Sequence, residues 1–354
     1  MANLKSTLNL RDKGAEYWER SPKWRRVALA VFFIAICYAL PYLNNPLLNT
    51  PGSDFQSVLF YPVGMYVLMA IGLNIVVGKS GLLDLGYVAF FAIGAYTMAI
   101  LGTKTSLNFW EILPIGVALA MLSGVLLGTP TLRLRGDYLA IVTLGFGEIV
   151  RIFAVNTDAI GGSRGIAGIP TPPDFFNAKF TILDPKPYYW LLLTFTLLII
   201  WMVRRMAARR PGRAWDAIRQ DDDVAQLMGI NTRKYKVWAF VLGAAVAGVG
   251  GVVYASQILS IVPDQFNLNI SILILACVVF GGIGNVWGVI LGAVLLAFTP
   301  ERIRFLSQPR ILVFGIALVV MMNLRPDGIL PKKKREHFDP NWDKVEESGE
   351  GEIK

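Results

Sequence analysis

Apolar residues in this chain do not alternate with polar ones; they run in blocks. Blocks fall at about 27–43, 58–77, 86–101, 112–128, 138–155, 188–203, 237–256, 269–280, 286–299 and 310–324. A helix needs roughly 20 apolar residues to cross a bilayer. The longest blocks meet that length, and the shorter ones read as half-spans or re-entrant pieces packed against protein. The expectation is an all-α, polytopic membrane helical bundle of about ten apolar segments, with eight to ten crossing fully and some helices broken. A polar segment 1–26 precedes the apolar body 27–330, and a charged tail 331–354 follows it. The apolar run starts too late after the N-terminus for a cleavable signal peptide.

Composition agrees with the pattern. Hydrophobic residues make up 54% of 354 and charged residues 17%, against about 25% charged for soluble chains. A large soluble enzyme is excluded. The single His, His337, lies in the tail, and Cys37 and Cys277 each sit inside an apolar block. Disulfide scaffolds, Cys-rich zinc sites and His-based catalysis are thereby set aside, with no cofactor or metal expected. Both Cys read as small buried apolar residues.

The net charge of +9 at first allows a nucleic-acid partner. Its distribution says otherwise. With a cytoplasmic N-terminus and strict alternation, the inside segments 1–26, 78–85, 129–137, 204–236, 281–285 and 325–354 hold 26 of the 34 Lys and Arg. That asymmetry predicts both termini inside and a bilayer, not nucleic acid, as the basic chain's partner. Residues 156–187 then form an external loop whose five prolines predict an irregular cap. Residues 204–236 form a long cytoplasmic loop with helical spacing.

Catalytic motifs are missing, with one decoy. Gly72-Leu-Asn-Ile-Val-Val-Gly78-Lys79-Ser80 resembles a phosphate loop but has one residue too many between the glycines and lies in an apolar block. ATP, if it drives this protein, is hydrolysed by another chain.

Four features carry information. Gly78 to Gly94 packs glycines around a turn, where Asp84 is placed to cap a helix starting near Leu85, and Asp84 and Gly86 become candidates for lining a translocation path. Glu148 and Arg151 lie three apart in an apolar helix, either as a structural ion pair or as path-lining charges. Gly284, Gly288 and Gly292, and likewise Gly243, Ala247 and Gly251, recur every four residues as helix-packing faces. The two glycine turns fall in opposite halves, as an internal duplication would place them. The cytoplasmic run 212–230 reads as short amphipathic helices, with Asp221–Asp223 as capping acids and Gly229 as a stop.

These residues resemble a known arrangement. Asp223, Ala225 and Gly229 match the acidic-x-Ala-x-x-x-Gly spacing of the loop by which ABC importer permeases dock on their ATPases. Gly81-Leu-Leu-Asp-Leu-Gly-Tyr-Val-Ala-Phe, Arg135-Gly-Asp-Tyr-Leu-Ala-Ile-Val-Thr-Leu-Gly-Phe-Gly-Glu-Ile-Val-Arg151, Gly212-Arg-Ala-Trp-Asp-Ala-Ile-Arg219 and Arg325-Pro-Asp-Gly-Ile-Leu-Pro331 are similar to the LivM-type permeases of branched-chain amino-acid importers. The resemblance implies a bacterial inner-membrane subunit working with a second, LivH-like permease, two cytoplasmic ATP-binding subunits and a periplasmic substrate-binding protein. It also implies ATPase coupling through Arg213, Asp223, Ala225 and Gly229. Related permeases carry urea or short amides. One departure lies in the external loop, where Ile160-Gly161-Gly162-Ser163-Arg164-Gly165-Ile166 stands in place of a Thr-Gly-Gly motif. Two other classes are a self-contained ion-coupled transporter, with Glu148 as its coupling group, and a membrane anchor without transport.

Overall fold

A computed structural model describes residues 23–42, 54–131, 136–174, 180–181, 184–303, 310–325 and 328–330. Residues 1–22 of the N-terminal segment, His337 and the charged tail lie outside these residues, as does Arg135. The described residues form a helical bundle. Its helices are α1 (Lys23–Ala39), α2 (Phe55–Lys79), α3 (Val88–Lys104), α4 (Phe109–Thr131), α5 (Asp137–Asn156), α6 (Lys186–Ala207), α7 (Arg210–Gln220), α8 (Asp222–Leu227), α9 (Thr232–Ile258), α10 (Leu268–Gly281), α11 (Val286–Arg302) and α12 (Arg310–Leu324). Six stretches among the described residues are long and apolar enough to cross a membrane: α2, α4, α5, α6, α9, and α10 with the short turn ahead of it. The chain is a multi-pass membrane protein. Helices α1, α3, α11 and α12 are shorter, with 17, 17, 17 and 15 residues.

One small departure from an all-helical reading occurs. Strand β1 (Ile166–Ala167) pairs antiparallel with β2 (Ser260–Ile261), pinning the segment between α5 and α6 to the end of α9. Elsewhere the described part of residues 156–187 holds two short 3-10 turns, Asp158–Ile160 and Gly162–Arg164, separated by Gly161 at φ +95°, and is otherwise irregular. Lys104 at the end of α3 donates to Ala159 O at 2.6 Å, a second tie on the same side.

Helix α2 is the buried axis. In its most apolar window 89% of residues are buried, against 22% in α5 and in α6. It is not straight. Tyr61 leaves helical geometry at φ −134°, ψ 124° just before Pro62, because proline disfavours the α region for the residue ahead of it. Helix α9 packs most extensively on α3 and α4, and small residues make that packing possible. A Cβ on Gly94 would sit 2.4 Å from Gly248 O, and one on Gly251 would sit 2.1 Å from Phe91 O. Backbones approach this closely only where side chains are missing, which is how membrane helices gain dispersion contact when lipid supplies no hydrophobic driving force. Gly243 faces α2, with Val76 Cγ2 2.6 Å and Gly72 O 3.4 Å from its missing Cβ. Between these two glycines lies the ring of Tyr87, fully buried, whose hydroxyl donates to Gly243 O at 2.9 Å.

The outer helices turn apolar side chains outward, as a bilayer requires. Leu29, Phe32 and Phe33 on α1, Leu198 and Trp201 on α6, and Leu312, Ile316 and Val319 on α12 are all exposed. Cys277 is buried and Cys37 is half-buried.

These close contacts make a sharp prediction. Gly251→Ala would place its methyl against fixed backbone and cost about 1–3 kcal/mol. Gly315→Ala on α12 has nothing within 4 Å to meet. Thermal unfolding of the purified protein in detergent should show a clear drop for the first and none for the second.

Candidate functional site

The chain between α2 and α3 leaves helical form while remaining inside the bundle. Ser80, Leu82 and Asp84 are buried and nothing in residues 81–87 is helical. Backbone polar groups inside a membrane bundle must find partners, each unsatisfied one costing several kcal/mol. Here the partners come from distant helices. Leu85 N donates to Thr143 Oγ1 of α5 at 3.0 Å, and Val88 N, the first group of α3, donates to Ser271 Oγ of α10 at 3.1 Å. Asp84 Oδ1 accepts from Gly86 N at 2.9 Å.

The expected cap is therefore corrected in detail. Asp84 shapes the turn, the helix starts at Val88 rather than near Leu85, and Ser271 of another helix meets its first N–H. Asp84 is fully buried, and its Oδ2 has no hydrogen-bond partner among the described residues. Such an atom is an acceptor in waiting for a proton, a water or an ammonium group. Gly86 is where α5 crosses: a Cβ there would lie 1.9 Å from Thr143 O, and one on Gly147 would lie 3.3 Å from Gly86 Cα.

The other glycine-rich turn meets the first. Gly284 N donates to Asn74 Oδ1 of α2 at 2.8 Å, and a Cβ on Gly78 would sit 2.7 Å from Gly284 N. Gly284, expected on a helix face with Gly288 and Gly292, lies instead in the turn ahead of α11 at φ +88°, so it cannot belong to that face. Gly288 and Gly292 line α11 where it touches α10, their missing Cβ atoms 2.3 Å from Gly281 O and 2.6 Å from Cys277 O. Residues 328–330 close the turn: Ile329 N and Leu330 N donate to Phe280 O and Gly281 O, and Asn285 Nδ2 donates to Leu330 O. The phosphate-loop decoy at 72–80 falls at the carboxyl end of α2, where carbonyls project. A phosphate needs N–H groups.

On α5, Arg151 Nε donates to Glu148 Oε1 at 3.0 Å, and Arg151 Nη2 contacts the same oxygen. Arg151 Nη1 also donates to Asp264 Oδ1 at 3.0 Å, in the short turn after β2. The pair is thus a triad. It sits on a helix whose outward stripe, Tyr138, Ile141, Val142, Ile149, Ile152 and Phe153, is exposed, with Gly145 in the same stripe and nothing within 4 Å of its missing Cβ.

The segment between α6 and α9 holds two helices. Trp215 of α7 is buried and its indole N–H donates to Tyr235 O at 2.8 Å, locking α7 to the start of α9. Asp221 caps α8, its carboxylate accepting from Asp223 N and Val224 N. Asp222 pairs with Lys236 Nζ at 2.6 Å. Ala225 is the buried anchor of α8, while Arg213 and Asp223 face outward. Gly229 ends the helix at φ +81°. Val224, Leu227 and Met228 leave large apolar surfaces exposed, 86% and 78% for the last two.

A family model described as branched-chain amino acid transport system / permease component matches residues 57–323 of this sequence. That span is well over half of the chain. The chain belongs to that family. Among relatives of this permease, the high-affinity branched-chain amino acid transport system permease protein LivM of Escherichia coli K12 is 41% identical over 288 residues, covering 75% of this chain and 68% of that protein. A probable LivM of Methanocaldococcus jannaschii is 23% identical over 329 residues, covering 79% and 94%. LivH of Salmonella typhimurium, a permease protein of the high-affinity system, is 26% identical over 297 residues, covering 77% and 92%. No solved structure matches the chain. Among the described residues of the permease no three His, Cys, Asp or Glu are grouped to hold a metal.

Sequence reasoning passed over Asn74, Thr143, Ser271 and Asp264 as site residues. The first three share one signal, a lone polar residue in an apolar run; Asp264 had none. Ser271→Ala and Thr143→Val should each strand one buried N–H and destabilise by about 1–3 kcal/mol. Unfolding midpoints should fall for both, and Thr194→Val, whose exposed hydroxyl bonds within α6 and to Tyr38, is the milder control.

Proposed function

We propose that this permease passes branched-chain amino acids along the outward stripe of α5, from the Glu148–Arg151–Asp264 triad past Gly145. The chain is a membrane permease of the branched-chain amino-acid type and does its work by binding and movement, not by bond chemistry. One observation carries the proposed path: a charged side chain, Glu148, and an uncovered glycine, Gly145, share the exposed face of a membrane helix. Charges at membrane depth face a wet cavity or a protein partner, not lipid. A second, LivH-like permease laid on this stripe supplies the other wall. The exposed apolar residues Val224 and Leu227 of α8 and Met228 just after it, set between Asp223 and the Gly229 stop, support docking of one of two ATP-binding subunits on the cytoplasmic side. The triad lies at the opposite end, where a periplasmic binding protein delivers substrate across the bacterial inner membrane, with both termini of the permease inside.

The test is ATP-driven leucine uptake by the complete importer in vesicles. Gly145→Leu should leave the isolated permease as stable as before, since there is room for the side chain, and yet reduce uptake on the order of tenfold by filling the shared wall. Unchanged uptake would sink the α5 path. Glu148→Gln should impair uptake more than membrane abundance; equal loss of both would make the triad structural. At Gly229, Asn tolerates the left-handed backbone and should retain coupling, whereas Val costs roughly 1–2 kcal/mol there and should weaken uptake. Ion-gradient transport by the chain alone would replace the importer reading with a self-contained transporter.

A further inference from the structure

The last carbonyls of a helix have no partner within that helix, and the negative end of its dipole favours a cation there. At the carboxyl end of α2 local and distant partners both serve, Leu82 N donating to Val76 O at 3.3 Å among the local ones. Val76 O accepts from Ser80 Oγ at 2.6 Å, a local contact. Gly78 O accepts from Arg219 Nη1 at 2.5 Å, a contact made across 141 residues of sequence. Arg219 stands in the last turn of α7. The grip is more than one bond, because the backbone of α7 lies against the same turn: a Cβ on Gly81, at φ +73°, would meet Arg219 Cγ at 3.3 Å and Arg219 Cα at 3.6 Å.

We propose that Arg219 is the positioning residue that transmits movement of the α7–α8 pair to the glycine-rich break between α2 and α3. This rests on the importer reading, in which α8 is where the ATPase acts. The chain of contacts is continuous. Helix α8 is capped by Asp221, two residues beyond Arg219, so the two short helices share a junction at Arg219's end of α7. Arg219 holds Gly78 and Gly81. From there the non-helical residues 82–87 run to Thr143 on α5, and through Asn74 the same end of α2 holds Gly284. A charge-assisted bond to a carbonyl resists stretching better than a neutral one, while glycines on the far side leave the break the softest part of the route.

The experiment measures leucine taken up per ATP hydrolysed by the complete reconstituted importer. Arg219→Gln should lower that ratio roughly tenfold, the size typical of coupling between sites, while ATP hydrolysis and subunit stoichiometry persist. Arg219→Lys, keeping the charge, should restore part of it. Gly81→Ala, which keeps the Arg219 side chain but strains the turn at φ +73° and crowds Arg219 Cγ, should lower the ratio too and serves if the Gln variant does not fold. A wild-type ratio in Arg219→Gln, or in Gly81→Ala where that variant stands in, overturns the proposal. So does parallel loss of hydrolysis and assembly in both Arg219 variants, which would make the contact a simple cap. Failure of the importer reading is separate: the wild-type complex itself would then show no ATP-driven uptake.

Discussion

Everything distinctive about this bundle follows from one requirement: a helix broken inside a membrane protein must have its backbone groups satisfied by something other than water. Between α2 and α3 the chain meets that requirement with borrowed side chains. Thr143, Ser271, Asn74 and Arg219 come from α5, α10, α2 and α7, and each bonds a backbone group in or beside one of the two glycine turns. Removing Ser271 or Asn74 strands a polar group in a low-dielectric interior, while the Thr143 and Arg219 bonds are part-buried. The break is therefore a junction where four helices are held to each other by hydrogen bonds, whereas elsewhere they only pack.

Glycine has two separate uses here. At Gly94, Gly248 and Gly251 it allows helices to touch backbone to backbone, which makes α3, α4 and α9 a rigid block. At Gly81, Gly229 and Gly284 it allows positive φ, which ends one element and redirects the chain. The first use stiffens and the second creates hinges. A transporter that alternates between two states needs both, rigid parts and defined places where they turn.

Surface chemistry divides in the same way. Helices α1, α6 and α12 expose plain apolar side chains suited to lipid. Helix α5 exposes an apolar stripe too, but that stripe contains Glu148 and a bare glycine, and its Arg151 is shared with Asp264 from another part of the chain. The same physical rule, that charge avoids lipid, sorts the two kinds of face.

The blocks of apolar residues alone determined that this is a helical membrane protein, because the bilayer imposes a length on any chain that crosses it. Motif order likewise made the permease family legible, and the capping role of Asp221 and the stop at Gly229 were readable because both are local: a cap or a left-handed residue acts within one turn. What tertiary structure alone decided is every contact made across long sequence separations. Gly284 was misplaced on a helix face because spacing does not reveal where the helix begins, and Asp84 was credited with a cap that Ser271, 183 residues away from Val88, provides. Asp264 completes the α5 triad from a turn that carried no signal. Local hydrogen bonds leave a trace in neighbouring residues; a partner brought in by folding leaves only a lone polar residue in an apolar run, and the sequence does not say which backbone group it will meet.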